Sequence, residues 1–411
     1  KLFTVIFILP MLMPSVSHGT GLIVLYGANG VITRILGLDS AIYGFWGIVM
    51  GSVMYSFPFA FLMIQDILAY QDATPYLAAE TLNISKFRQF KLITMPYMYK
   101  PMISVIFTVF TIVVTDYGVP LMIGGRYTTL PVMMYQDVIE QQNFSTGSLI
   151  GLALLTPAII AFVVDIISKD KTNKGALYNP LVVSAKKTRD WLAISFIAVL
   201  PIIAFSILAF VEKYPINMSL TLDHLRYIFK INAAQYLLNS LTISFLSALL
   251  GVSIIFILAY LVVRTPSKLS RWLHIFATIP LAIPGIALGL AYIIFFKGSI
   301  IYNTIGILVL VNFVHFFTSP YLIVCNALGK IDLDIEDVGA IMGVRRIPII
   351  LHIILPQLKA TIVEAFAQIF INSMMTISTV SFLSTNATKP FALLLPALEK
   401  NSLIEEIAAV S

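Results

Sequence analysis

The chain has 411 residues, of which 59% are hydrophobic and 11% charged, and its mean hydropathy is +0.93. Soluble globular proteins carry about 25% charged residues, so this composition excludes a water-soluble fold and calls for a polytopic membrane protein. The net charge of +6 does not mark a nucleic-acid binder, because the basic residues fall between apolar runs and not on one contiguous face. The single cysteine, Cys325, excludes an intramolecular disulfide.

Runs long enough to span a bilayer need about 20 apolar residues. Nine are found, near 2–28, 42–66, 92–116, 147–167, 191–212, 239–263, 272–296, 303–328 and 349–381. The expected fold class is therefore all-α. The first run carries Pro10 and Pro14, and the seventh repeats that spacing as Pro280 and Pro284, 270 positions on. Between the second and third runs lies a polar-to-amphipathic island, Leu77 to Pro96, LAAETLNISKFRQFKLITMP. A second island, Asp337 to Pro356, DVGAIMGVRRIPIILHIILP, precedes the last run, with landmarks 260 positions after those of the first. Asn83 becomes Gly343 and Pro96 becomes Pro356 at that offset. Matched spacing at two places is an internal repeat.

The repeat offset assigns the nine runs. The first run matches the third of the second half, so two helices are expected before Lys1 in this register and one after Ser411. That makes twelve helices in two pseudo-symmetric sets of six. The expected division is a first half over 1–168, a linker over 169–190 rich in lysine, and a second half over 191–411. Lys1 lies in mid-run and another apolar run begins near Ser411, as in a fragment. If the islands are cytoplasmic, so are the loops at 169–189 and 264–271. These four segments hold fourteen Lys and Arg residues, against eight on the opposite side. That excess on one side is what the positive-inside rule requires.

The islands resemble the EAA loop of type I ABC importer permeases, in which E-A-A-x-x-x-G is followed by a distal L-P. The second copy keeps an acid at Asp337, small residues at Gly339 and Ala340, Gly343, the basic Arg345, and Leu355-Pro356. The first keeps Ala78, Ala79 and Pro96, but has Leu77 at the acid position and Asn83 at the glycine position. Asn tolerates positive φ better than other non-glycine residues, so the turn is expected to survive; the missing acid is a departure. The resemblance implies that each island is a coupling helix docking on an ATPase subunit. It implies a pair of ATPase partners, a periplasmic or lipid-anchored solute-binding protein, and a multi-pass location in the bacterial inner membrane. It also implies the fused form, in which one chain supplies both halves of the usual dimer.

No P-loop, HExxH, CxxC or nucleophile elbow occurs, so the chain carries no enzyme signature, nucleotide cradle, metal site or cofactor motif of its own. Ionisable residues inside a membrane are costly and functional by default. Asp116 closes the run FTVFTIVVTDYGVP next to Tyr117, and His315 sits in LVNFVHFFTSPY. The matching stretch of the second half, NSMMTISTVSFLS, carries Ser373, Thr376 and Ser378. Small hydroxyls there serve either close helix packing or the lining of a polar path. Asp116 and Thr376 are 260 apart, and corresponding helices of a two-fold permease face each other. An acid opposite hydroxyls is expected to suit a solute with a cationic group, a metal ion or the ammonium of an aminophosphonate.

DYGVP paired with SMMTIS, together with GGRYTTLP and the run after it, resembles the ferric-iron and 2-aminoethylphosphonate branch of these permeases. The resemblance implies inward transport of such a solute by alternating access; polyamine and thiamine permeases are neighbouring alternatives. An ion-coupled secondary transporter would need midplane carboxylates, which the runs nearly lack.

Overall fold

The computed structural model describes residues 6–7, 9–37, 42–69, 71–168, 199–231, 233–265, 267–329, 331–332, 334–400 and 403–410. The expected linker at 169–190 lies outside the described residues. After a 3-10 turn at Leu9–Leu12 come α1 (Ser15–Tyr26) and α2 (Phe45–Ala69). The first island forms α3 (Thr74–Thr81), a helical turn at Lys86–Gln89, a π-helical turn at Phe90–Thr94 and the start of α4 (Met95–Thr115). Then follow α5 (Gly118–Ile123), α6 (Leu130–Tyr135) and α7 (Phe144–Ser168).

In the second part α8 (Ala233–Arg264) leads through a 3-10 turn at Ile279–Ala282 to α9 (Gly285–Phe296), α10 (Ile305–His315) and α11 (Thr318–Leu328). The second island forms α12 (Asp334–Ile341), a turn at Arg346–Ile349 and a π-helical turn at Ile350–Ile354. Helices α13 (Lys359–Met375), α14 (Leu394–Lys400) and α15 (Ile404–Val410) complete it. Two short strands, β1 (Val211–Lys213) and β2 (Asn217–Leu220), form an antiparallel hairpin that the apolar pattern did not reveal. His224 ties this hairpin to α15, through the Val211 carbonyl at 2.9 Å and Glu406 at 3.1 Å.

Among the described residues four helices are long and apolar enough to cross a membrane, or up to seven where each of three sharply bent pairs is one span. The two remaining expected spans coincide with the shorter apolar helices Phe144–Ile160 and Val199–Leu208. Many large apolar side chains, among them Ile106, Phe110, Leu249 and Ile257, stand exposed on these helices. Such a surface is tolerable only against lipid, while helices satisfy their own backbone polar groups there.

The two copies share element boundaries at fixed offsets. At the 260 offset, α3 matches α12 at both ends, the turns after them match, and α7 starts where α15 does. At the 270 offset the 3-10 turns coincide, as do the starts of α1 and α9. Prolines explain two of these shared features. Pro96 and Pro356 have no N–H and clash with the carbonyl four residues back. The helix widens just before each: Met95 N–H reaches back to the Phe90 carbonyl and Leu355 N–H to that of Ile350, five residues away. At the other site the Pro-x3-Pro pair breaks a span. Met13 N–H and Ile283 N–H bond the carbonyls of Pro10 and Pro280 at 3.3 and 3.2 Å. Pro14 and Pro284 then start new helices, and the second break turns the chain by 107°.

The halves are held together by exchanged contacts. Gly147 and Gly151 of α7 face Leu290 and Ala287 of α9, where an added Cβ would lie 3.6 and 3.7 Å from those side chains. Helix Val199–Leu208 lies so close to α1 that a Cβ on Gly21 would meet the Pro201 carbonyl at 2.9 Å. Small residues allow this approach where no hydrophobic effect drives helices together.

Candidate coupling islands and the cavity between the halves

Each island closes its first helix with the same backbone device. Asn83 and Gly343 take positive φ, 54° and 72°. Ile84 N–H then bonds the Ala79 carbonyl and Val344 N–H the Gly339 carbonyl, both at 2.9 Å. Asn83 N–H reaches the Glu80 carbonyl at 3.0 Å and Gly343 N–H the Ala340 carbonyl at 3.1 Å. This pair of bonds is the Schellman closure, which needs a left-handed residue at that point. Ala79 and Gly339 are the buried floor of each turn, whereas Leu77, Ala78, Asp337, Arg345, Pro96 and Pro356 are exposed. Beneath the floor, Gly339 leaves room for Ile349, whose Cδ1 would lie 2.3 Å from an added Cβ. The first copy has Ala79 there, and Gln89 in place of Ile349 donates its amide to the Ile84 carbonyl at 2.8 Å.

The solvent faces correspond as well. Leu82 and Met342, equivalent by position, are 73% and 74% exposed, and Phe87 and Ile347 are 80% and 69% exposed. The acids do not correspond. Asp334, Glu336 and Asp337 open α12, whereas the first island holds Glu80 against Lys86. That hydrogen bond and the lysine's charge hold the Glu80 carboxyl below its usual range.

Between the halves lies a cavity of about 270 Å³. Leu121, Tyr135, Gln136 and Ile139 line it from the first half, and Ser381, Ser384, Thr385, Asn386 and Lys389, with apolar neighbours, from the second. Leu121 is the positional equivalent of Ser381, and Gln136 of Pro396, which also lines the cavity. A cavity bounded by equivalent residues of both repeats sits on the pseudo-two-fold axis. Its polar atoms come mostly from the second half, so its lining is asymmetric.

None of the expected path residues is among those that line this cavity. Asp116 and Thr376 are equivalent, each capping the C-terminal end of a long helix with extended backbone, φ −75° and −68°. Each is buried within its own half. Asp116 accepts hydrogen bonds from the N–H groups of Gly118 (3.2 Å) and Val119 (3.1 Å), and from the Ser15 side chain. Its charge is therefore used to cap α5. The Thr376 hydroxyl pairs with that of Thr379 at 3.0 Å, and Thr379 donates to the Asn312 side chain at 3.1 Å. Tyr117 stacks on Tyr135, ring centroids 5.1 Å apart, and so stands directly behind the cavity wall. Ser378 and His315 both press on Gly285, where an added Cβ would lie 2.7 and 3.0 Å from their side chains. Ser373 is buried in α13. Lys389, counted in the sequence only as a loop charge, lines the cavity from the second half. Nothing in its neighbourhood distinguishes it from an ordinary loop lysine.

Residues 1–169 and 251–410 match the family described as binding-protein-dependent transport system inner membrane component. The chain belongs to that family. The permease is 23% identical over 407 residues to the putative ferric transport system permease protein FbpB 1 of Haemophilus influenzae, covering 93% of this chain and 64% of that one. It is 22% identical over 405 residues to the ferric transport system permease protein FbpB of Actinobacillus pleuropneumoniae, covering 93% and 59%. The thiamine transport system permease protein ThiP of Brucella abortus is 26% identical over 310 residues, 71% of this chain and 55% of the relative. The permease thus spans about three-fifths of the length of the ferric relatives it matches.

Proposed function

We propose that this permease is the membrane part of an importer in the bacterial inner membrane, in which separate ATPase subunits drive alternating access. The observation that carries the reading is the pair of islands. Two turns 260 residues apart share one backbone and expose apolar side chains at the same two positions, Leu82 and Phe87 against Met342 and Ile347. Exposed apolar groups on short helices beside the spans are what a partner would cover. Two such surfaces on one chain fit two ATPase copies, one per half. The first island runs on into α4 within one helix, Lys86–Thr115, whereas the second is joined to α13 through a 73° bend.

In this reading 1–168 and 191–411 are the two halves, and a periplasmic or lipid-anchored binding protein delivers the solute to the cavity. Asp116, Tyr117, His315, Ser373, Thr376 and Ser378 shape the wall without touching the solute. The ferric relatives, which align along 93% of the chain, support a solute of the ferric-iron branch; the sequence resemblance adds 2-aminoethylphosphonate. Co-purification tests the coupling. The intact permease should retain an ATPase encoded beside it, and Gly343→Val should weaken that retention and uncouple ATP hydrolysis from uptake. Full retention and full coupling in a well-inserted Gly343→Val permease would overturn the reading.

A further inference from the structure

Among the described residues that line the axial cavity, one is an ionised group, and it is a cation. Lys389 stands on the second-half wall with Ser384, Thr385 and Asn386. Among the described residues it has no carboxylate partner; the nearest compensation is the Tyr236 ring, whose centroid lies 5.9 Å from Nζ. Burial lowers its pKa from the ordinary lysine value, as expected for a desolvated charge without a counter-ion.

The loop that carries this lysine is built and not slack. Thr385 and Thr388 cap each other, with Thr385 N–H donating to the Thr388 hydroxyl at 3.0 Å and Thr388 N–H returning a bond at 3.4 Å. Asn239 of α8 donates its amide to the carbonyls of Ala387 (2.9 Å) and Lys389 (3.1 Å). Phe391 N–H donates to the Ser240 hydroxyl at 2.7 Å. The backbone on both sides of Lys389 is thereby tied to a transmembrane helix. A half-buried ammonium held over a polar cavity by such a frame, with no carboxylate against it among the described residues, can take an anionic partner, and the hydroxyls and amide beside it are further donors. Gln136 supplies one more from the opposite wall.

We infer that Lys389, with Ser384, Thr385 and Asn386, is an oxyanion-recognition subsite on the axis. The solute, whatever else it carries, crosses with an anionic oxygen group facing the second half. This deepens the importer reading and rests on it. It narrows the solute to a phosphonate or a ferric ion carried as an anionic oxygen chelate; a bare cation would be repelled here.

Two measurements test the subsite. In a Cys325→Ser background, Ser384→Cys places a thiol beside Lys389, and Asn386→Cys at the exposed mouth does the same should Ser384→Cys destabilise the chain. An anionic methanethiosulfonate reagent should modify it faster than a cationic one, and Lys389→Gln should lower that rate ratio about fivefold, the scale of one charge at close range in a polar site. Lys389→Arg should preserve the ratio. In cells holding the complete transporter, uptake of 2-aminoethylphosphonate and of ferric citrate is followed in parallel, the carried probe distinguishing the two sources of the oxyanion. Uptake of the carried probe should fall about tenfold in Lys389→Gln, as for a lost hydrogen bond to a charged group, and remain within about threefold in Lys389→Arg. A rate ratio indifferent to Lys389, uptake indifferent to it, or a wild-type transporter that carries neither probe would overturn the inference. Failure of the importer reading would show separately, as coupling that survives Gly343→Val.

Discussion

The two halves meet their own kinks in opposite ways. In the first, Ser15 opens α1 and Gly118 opens α5; an added Cβ on Gly118 would lie 2.2 Å from the Ser15 Oγ and 2.8 Å from the Val16 nitrogen. In the second, the equivalent of Ser15 is Gly285 and the equivalent of Gly118 is Ser378, with the conflict reversed at 2.7 Å. The side chain has moved to the other partner while the helices stay equally close. The islands do the same, exchanging Ala79 and Gln89 for Gly339 and Ile349. Close-packed interiors have room for one Cβ at such a crossing and not two, so what the repeats share is the combined volume of each contact. Residue identity at either position alone is free to change.

Gly118→Ala should break the comparison hardest. Its Cβ meets backbone as well as side chain, so overpacking of about 1–3 kcal/mol is expected. Thermal unfolding of the detergent-purified permease should show it as a lowered midpoint, with Ser15→Gly restoring part and not all of the loss. Full restoration would mean that the Val16 backbone can yield.

Gly343→Val comes next. A β-branched residue at φ 72° costs about 1–2 kcal/mol, concentrated at one turn, so local proteolysis of the second island should rise more than global unfolding. Equal protease resistance in variant and parent would show that the turn accepts the side chain.

Asp116→Asn separates capping from solute contact. The amide keeps one acceptor for two backbone N–H groups, a loss of about 1 kcal/mol. Uptake per folded molecule should stay unchanged, because Asp116 is turned away from the cavity. Reduced uptake at an undiminished folded amount would return Asp116 to the path.

The smallest effect belongs to Asn83→Gly. It gives the first island the turn residue of the second, and with Asn already at positive φ the gain should be a few tenths of a kcal/mol at most. A large change in either direction, read by the same unfolding assay, would show the Asn83 side chain to have work of its own.

The linear chain held much of this architecture in plain form. Apolar length set the spans, because a helix must carry about 20 apolar residues to cross lipid. Proline spacing set the kinks, since a missing N–H acts on its own helix whatever surrounds it. The positive-φ positions at Asn83 and Gly343 were legible for the same local reason. The path was not. Asp116 and Thr376 were rightly matched as equivalents by their offset, but which way a capping residue turns depends on the helix packed next to it. Asp116 turns inward because Ser15 and the start of α5 offer three donors there. Lys389 turns to the axis because Asn239 and Ser240, about 150 residues earlier, anchor its loop. Only contacts between distant segments could decide either, and no periodicity along the chain encodes them.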